Sequence, residues 1–273
     1  MRVAKDIKTL KKRVRRFFEC VPEERRTVSK VLRDLENVAD VYVFGGLMRD
    51  LTLYGIDDFN SDVDLVVKPY DLVEFKNILE AYGFSQNKFG GYRLQSQRWL
   101  FDVWEFKNTW AFQENHVLPH SKRSLIETTF FNWDAILYDC KSNQIICDDK
   151  YLDALSHRNL DINLRENPNR IGSLIRALKF IVRDGANTGR DLTRFIVEML
   201  SEMDDYSLLE NEHKHSRTPF LHQDILRHLR YRSNQWNDEE FFMWIDENMW
   251  TNNDQFELFE QEQEHLKAFV SNY

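Results

Sequence analysis

The sequence predicts an α+β fold in which a mixed, mainly antiparallel sheet with flanking helices precedes a helical region. Short β-rich runs bounded by Gly or Pro fall in the first part of the chain, and helical periodicity dominates after it. The chain has 273 residues, of which 42% are hydrophobic, enough apolar material for one or two domains with a core. We therefore expect a sheet-containing domain over residues 1–150 and a helical domain over residues 151–273.

Two helices are predicted before the first strand. Apolar residues recur at helical spacing from Val3 to Phe18. A second helix is expected to open at Thr27, with an apolar stripe that ends at Leu35. The first helix is strongly basic, because residues 2–16 contain eight Lys or Arg and one acid. This face is either a phosphate-binding surface or a solvated helix face.

The next elements alternate between strands and helices. Val41–Phe44 is a β-rich run that ends at Gly45-Gly46, and a helix can follow from Leu47 to the residue before Gly55. A strand then begins at Asp62 and is closed by Pro69. The later elements are a helix and two pairs of short strands: 71–82, 92–94 with 100–106, and 136–138 with 145–147.

Three carboxylates in these strands are the candidate catalytic residues. Asp62 and Asp64 are two residues apart, so in a strand both point to one face and can reach the same cations. Asp102 lies between Phe101 and Val103, where an unpaired acid would be costly to bury. A hard, oxygen-rich site of this kind suits two ions of Mg²⁺ or Mn²⁺. Asp62 and Asp64 would bind both ions, and Asp102 would bind the catalytic one.

The segment before the first acids suits a nucleotide phosphate. Gly45 and Gly46 follow a strand and open a helix, so that phosphate oxygens can approach the backbone N–H groups of the helix N-terminus. Arg49 and Asp50 lie in the first turns of that helix. Arg49 is expected to contact phosphate, and Asp50 to orient Arg49 or cap a loop.

These residues carry a resemblance to a known family. The segment Gly45-Gly46-Leu47-Met48-Arg49-Asp50, then Gly55, then Asp62-Val63-Asp64-Leu65, resembles the head domain of CCA-adding enzymes and bacterial poly(A) polymerases. These are class II members of the polymerase-β nucleotidyltransferase superfamily, whose pattern runs GGxxRD, a short helix, Gly, a loop and DxDL. The resemblance implies a polymerase-β-type palm followed by a helical domain, with a nucleoside triphosphate and two metal ions held in the cleft between them.

The resemblance continues to about residue 185 with departures. Residues 131–139 look like the family's RDFTxNALAYD segment, but Phe130 replaces its Asp and Asp134 its Asn. The family's base-reading EDxxR motif is matched by residues 166–170, in which Asn replaces the Asp. Residues 176–180 resemble its RAxRF helix. The resemblance thus adds four candidate nucleotide-binding residues: Asn167, Arg170, Arg176 and Lys179.

Several functions fit these motifs. The first is template-independent transfer of a nucleoside monophosphate from an NTP or dNTP to a 3′-hydroxyl, on tRNA or in making an oligonucleotide; by resemblance alone this includes a role in phage defence or as a toxin. The alternatives are nucleotidylation of a protein or small molecule, and a catalytically silent antitoxin or scaffold. The sequence does not determine ribonucleotide or deoxyribonucleotide use, base preference, acceptor, product length or oligomeric state.

Composition bounds the setting. The net charge is −8, which excludes a uniformly basic nucleic-acid binder. The three cysteines form no CxxC pair, and no apolar run suits a signal peptide or membrane span, so a cytoplasmic protein without membrane insertion is expected. Residues 236–273 hold ten acids, one Lys and many aromatics. That segment predicts a contact with another protein or self-association.

Overall fold

A computed structural model of the chain describes residues 3–19, 23–56, 62–87, 90–215 and 219–235. These residues divide into two compact units. The first contains the described residues up to His157 together with Ile162–Asn167, and the second contains Arg158–Asp161 and the described residues from Pro168 onward. The predicted domain boundary at residue 150 stays a prediction, and the acidic, aromatic segment from Trp236 lies outside the described residues.

The first unit is built on a seven-stranded sheet with the order β3-β4-β5-β2-β1-β6-β7. The strands are β1 (Ala39–Phe44), β2 (Val63–Pro69), β3 (Phe84–Gln86), β4 (Tyr92–Ser96), β5 (Trp99–Glu105), β6 (Ile136–Asp139) and β7 (Gln144–Cys147). Strands β2 and β5 pair in parallel, and the other neighbours pair antiparallel. The predicted mixed, mainly antiparallel sheet is therefore confirmed.

Helices cover the central strands of this sheet, whose inward side chains form the core. The helices of the first unit are α1 (Ile7–Glu19), α2 (Glu23–Glu36), α3 (Gly46–Leu53), α4 (Leu72–Tyr82), α5 (Trp110–Gln113) and α6 (Tyr151–Ser156). Val41, Leu65 and Phe101, from three adjacent strands, have no exposed surface. Because β1, β2 and β5 are clamped by this packing, the residues at their ends are held on a rigid support.

Helix α1 presents two chemically different faces. Leu10, Val14 and Phe17 are buried, and Lys8 and the other basic residues of the opposite face are exposed. Arg13 donates Nη1 to the carbonyls of Leu51 (2.9 Å) and Thr52 (2.8 Å), at the C-terminal end of α3. This cation satisfies carbonyls that a helix end leaves unpaired, and it ties α1 to the helix that opens at the double glycine.

The second unit is mainly helical. Its elements are β8 (Asn159–Leu160), α7 (Arg170–Asp184), β9 (Asn187–Thr188), α8 (Arg190–Glu202), α9 (Asp205–His215) and α10 (Gln223–Gln235). The side chain of Asn169 caps α7 by accepting from the backbone N–H of Gly172 (3.0 Å). The short parallel pair β8–β9 was not predicted, because two residues are too few to show a period of alternation.

Two element predictions in the first unit need correction. Helix α2 begins at Glu23 rather than Thr27, whose hydroxyl is buried and donates to Oε1 of Gln97 (2.7 Å) instead of capping a helix. Strand β3 was missed because all three of its residues are exposed, so no apolar alternation marks it. None of the helices in the described part of the chain combines the length and apolar character needed to traverse a bilayer.

Candidate active site

Two of the predicted carboxylates come together at the parallel junction of β2 and β5. Asp64 is the register partner of Asp102 across these strands. Residues paired in register on neighbouring strands point to the same face of a sheet, so both carboxylates project from one surface. Asp62 lies two residues before Asp64, directly ahead of β2, and is partly buried. The fold therefore gathers acids that are far apart in sequence.

Arg93 extends this row of side chains onto a third strand. It is the register partner of Asp102 on β4. Its guanidinium makes a two-pronged ion pair with Asp102, from Nε to Oδ1 (2.8 Å) and from Nη2 to Oδ2 (2.7 Å). The pKa of Arg93 is raised, first by this hydrogen bond and then by the charges of Asp102, Asp62 and Asp64. Arg93 thus contacts Asp102 and lies within the electrostatic influence of Asp62 and Asp64.

The double glycine lies beside the same carboxylates. Gly45 has φ 59° and ψ −118°, a conformation that L-residues with a Cβ rarely adopt, and it donates its N–H to the carbonyl of Ile136 (3.2 Å). A Cβ built on Gly46 would lie 3.9 Å from Oδ2 of Asp64. Since Gly45 is the N-cap, no side chain caps the first turn of α3. The opening of this helix can therefore receive an anion next to Asp64.

Arg49 and Asp50 lie in the first turns of α3, and the side chain of Arg49 is directed into the protein rather than toward solvent. Arg49 is buried and donates Nε to Oδ1 of Asp50 (2.8 Å) and Nη1 to Oδ1 of Asp134 (2.6 Å). Burial lowers the pKa of Arg49, but the two carboxylates outweigh it and raise the pKa above the usual arginine value. A Cβ built on Gly46 would lie 3.7 Å from Nη2 of Arg49, so the guanidinium lies close to the glycine turn. A direct phosphate contact by Arg49 stays a prediction.

Asp134 holds the guanidinium of Arg49, although the sequence motif did not mark it as a site residue. It replaces the Asn of the family segment, and it is buried at 6% exposure beside Arg49. An acid carries the negative charge that a buried guanidinium needs, whereas an amide does not. The departure from the family pattern was itself the available signal, because a lone acid amid Phe, Trp and Ile must have a partner if it is buried.

The fit of a divalent cation can be judged from these contacts. Asp62, Asp64 and Asp102 supply only carboxylate oxygens, the donors that Mg²⁺ and Mn²⁺ prefer. Within the described ranges, no three acidic, histidine or cysteine side chains are already arranged to hold a metal ion. Both oxygens of Asp102 are engaged by Arg93. The chemistry of the donor oxygens therefore suits a hard cation, and metal binding stays a prediction.

The four candidates carried by the weaker resemblance are spread over two elements. Asn167 is a partly buried loop residue of the first unit. Arg170, at the start of α7, pairs with Glu198 (2.7 Å) and Glu202 (3.1 Å) of α8. Arg176 is exposed, with its guanidinium carbon 5.9 Å from the ring centre of Phe180, and Lys179 on the same helix is partly buried. Their contacts with a nucleotide stay predictions.

Comparison with known proteins gives structural matches. No protein-family model matches the chain, and no curated protein matches it significantly. A CCA-adding enzyme solved with CTP has a TM-score of 0.50 at 17% identity, covering 92% of this chain and 69% of that chain. The Bacillus stearothermophilus CCA-adding enzyme in complex with CTP has a TM-score of 0.50 at 18% identity, covering 71% and 49%.

A third match is the apo form I of a tRNA-processing enzyme, with a TM-score of 0.48 at 17% identity, covering 77% of this chain and 63% of that chain. This chain thus spans less than two thirds of two of the three structures. At such identities the likeness establishes the fold. The fold of the CCA-adding enzymes, expected from the motif resemblance, is confirmed.

Proposed function

We propose that this chain is a metal-dependent nucleotidyltransferase of the CCA-adding type. It would move a nucleoside monophosphate from an NTP or dNTP to a 3′-hydroxyl without a template, on tRNA or a related oligonucleotide. The observation that carries this proposal is the pairing of Asp64 with Asp102 directly beside Gly46. An acidic pair next to a helix opening without a side-chain cap suits a triphosphate with its cations.

The residues of the first unit have distinct roles in this proposal. Asp62, Asp64 and Asp102 would hold two Mg²⁺ or Mn²⁺ ions. When bound, such ions activate the attacking hydroxyl and neutralise charge on the triphosphate. The backbone at Gly45 and Gly46 would accept the triphosphate, because neither residue has a side chain in the way. Strands β2 and β5 fix Asp64 and Asp102 before substrate arrives, so alignment and charge stabilisation would carry most of the rate enhancement.

Four further residues, named from the motif resemblance, would contact the nucleotide. We assign Asn167, Arg170, Arg176 and Lys179 to contacts with the base and phosphates. For Arg170 this means exchanging or sharing its exposed pairs with Glu198 and Glu202, which cost little to break. In this proposal residues 1–150 are the catalytic palm and residues 151–273 the helical domain.

The basic face of α1 supports a nucleic acid as the acceptor. Lys8, Lys11, Lys12 and Arg16 are exposed on a helix whose other face is buried in the first unit. On a protein of net charge −8, a basic strip fixed to the folded domain is a local anion-binding surface. A cytoplasmic location, where tRNA and nucleotides are abundant, belongs to the same proposal.

The test is an incorporation assay with varied acceptors. Purified protein is incubated with Mg²⁺ or Mn²⁺ and each α-labelled ribo- or deoxynucleotide, with bulk tRNA, with a short oligonucleotide, or with neither. Label in tRNA or in a lengthened oligonucleotide supports the proposal and identifies the acceptor. Label that enters only the protein itself or a small molecule would replace it with nucleotidylation. No transfer under any condition would leave a catalytically silent fold.

A further inference from the structure

The strongest unassigned feature of the site is a row of three charged residues across three strands. Asp64 on β2 pairs with Asp102 on β5, and Asp102 pairs with Arg93 on β4. Side chains in register across neighbouring strands share a face, so the row runs acid, acid, base along one surface. Strand β4 is held between β3 and β5, because Ser85 pairs with Arg93 from the other side. The backbone of Arg93 is therefore fixed.

The guanidinium of Arg93 engages the carboxylate oxygens through which Asp102 would bind a cation. Its two-pronged contact engages both carboxylate oxygens at 2.7 and 2.8 Å. This planar fork is the geometry in which arginine binds a carboxylate most strongly. A cation that binds Asp102 must open this contact or share its oxygens.

The two ends of the ion pair differ in how easily they can move. The side chain of Asp102 is 14% exposed, whereas that of Arg93 is 50% exposed. Asp102 is held by its strand and its apolar neighbours Phe101 and Val103, which are fully buried. Arg93 can rotate its long side chain into solvent without disturbing the core. Release of the pair is thus a side-chain motion of Arg93.

The positive charge of Arg93 offsets the negative charge of the nearby carboxylates. The carboxylates of Asp64 and Asp102 share one face of the sheet and repel each other, and a positive charge beside them relieves that repulsion. The raised pKa of Arg93, which responds to Asp102, Asp62 and Asp64, agrees with this placement. The same three charges would attract a divalent cation. Arginine and cation therefore draw on the same carboxylates.

We propose that Arg93 is an internal counter-ion that competes with the divalent cation for Asp102 and thereby sets the metal affinity of the site. This inference rests on the proposed metal-dependent function. In the metal-free protein the fork holds Asp102 in place and neutralises part of the acidic row. On loading, Arg93 swings away and Asp102 becomes free to ligate. Arg93 is thus a positioning residue for Asp102 whose removal tightens metal binding.

The experiment measures Mn²⁺ binding directly, without nucleotide or activity. Free Mn²⁺ is titrated by electron paramagnetic resonance in the wild type, Arg93→Gln, Arg93→Lys and Arg98→Gln. Arg98 is the matched control, since it lies in the same hairpin, against Trp99, and its replacement removes the same charge. We expect Arg93→Gln to lower the Kd for Mn²⁺ about 3- to 30-fold, since an exposed two-pronged pair contributes about 0.7 to 2 kcal/mol. Arg93→Lys should fall between, because lysine cannot form the fork.

The outcomes separate this inference from the proposed function. Tighter binding in Arg93→Gln with no change in Arg98→Gln supports the competition. An equal change in both variants would mean a general charge effect and overturn it. Unchanged or weaker binding in Arg93→Gln, with the wild type binding Mn²⁺, would overturn it while leaving the metal site intact. Absence of binding in every variant would overturn both. Thermal unfolding with and without Mn²⁺ checks that each variant is folded.

Discussion

Asp64 lies opposite Asp102 across the parallel junction of β2 and β5, and Gly46 approaches the Asp64 carboxylate from α3. This relationship joins three segments that are separate in sequence into one acidic surface beside a helix opening. The double glycine and the Asp64 strand, which are separate parts of the sequence motif, are thus neighbours in the fold. The consequences of this geometry can be tested at individual residues.

The two glycines should respond differently to alanine. Gly45→Ala places a Cβ on a backbone with φ 59° and ψ −118°, and we expect it to lower the free energy of unfolding by about 1–3 kcal/mol. Gly46→Ala adds a methyl at ordinary contact distance from Asp64 and Arg49, so the fold should hold while nucleotide binding weakens. Urea unfolding and NTP titration measure the two effects. Equal loss of stability in both variants would contradict this assignment.

The buried ion pair of Arg49 should be coupled to Asp134. Arg49→Gln leaves the Asp134 carboxylate buried without its cation, and we expect a loss of about 3–5 kcal/mol in the free energy of unfolding. Asp134→Asn in the same chain removes the stranded charge and should restore part of this loss. Denaturant unfolding of both single variants and the double variant gives the coupling energy. Additive losses would show that the two side chains do not act as a pair.

The basic face of α1 should govern binding to RNA. Lys8→Glu with Lys12→Glu reverses two exposed charges one helical turn apart. We expect weaker tRNA binding and a shallower dependence of log K on log salt, by about one for each lost phosphate contact. Lys68→Glu with Lys76→Glu, two other exposed lysines, is the control for net charge. Equal weakening by both pairs in a filter-binding titration would remove α1 as the acceptor surface.

Acid should destabilise the first unit through Asp139. Burial raises the pKa of Asp139, but hydrogen bonds from Lys122 and the backbone N–H of Ser142 outweigh it, so the pKa is below its usual value. A lowered folded-state pKa contributes stability that is complete above the unfolded value, about 3.9, and is lost as the pH falls toward the folded value.

We therefore expect the free energy of unfolding of Asp139→Asn to fall less steeply than that of the wild type between about pH 5 and pH 3. Urea unfolding at each pH measures this difference. Asp148→Asn is the control, because Asp148 makes an exposed pair with Arg123 on the same part of the fold. An Asp139→Asn profile as steep as that of the wild type would show that the Lys122 contact adds nothing.

The sequence predicted this site as far as local pattern reaches. The strand that follows Asp62 and the turn at Gly45-Gly46 are both set by neighbouring residues, and both are found. The pairing of β2 with β5 is a long-range contact, so the sequence could nominate Asp102 but not place it opposite Asp64. The pairing of Arg93 with Asp102 was not predicted, because it depends on the register of β4 against β5, which one strand does not encode.

Arg49 illustrates a different limit of sequence reasoning. Its position in the first turns of α3 suggested a phosphate contact, but whether it faces solvent depends on what packs over the helix. The segment around Trp133 supplies that cover and brings Asp134 to the guanidinium. A helical period gives the spacing of residues on a face and does not give the identity of the neighbour.

Nucleotide transfer that depends on Asp62, Asp64 and a metal ion is tested most directly by one measurement. The rate of pyrophosphate release and of label transfer from an α-labelled NTP is compared between the wild type and Asp62→Ala/Asp64→Ala, each with Mg²⁺ and with chelator, in the presence of tRNA. We predict transfer by the wild type with metal, and loss of transfer in both the double variant and the chelated sample. Thermal unfolding curves check that both proteins are folded. Transfer that persists in the double variant, or that is indifferent to chelation, would contradict the account.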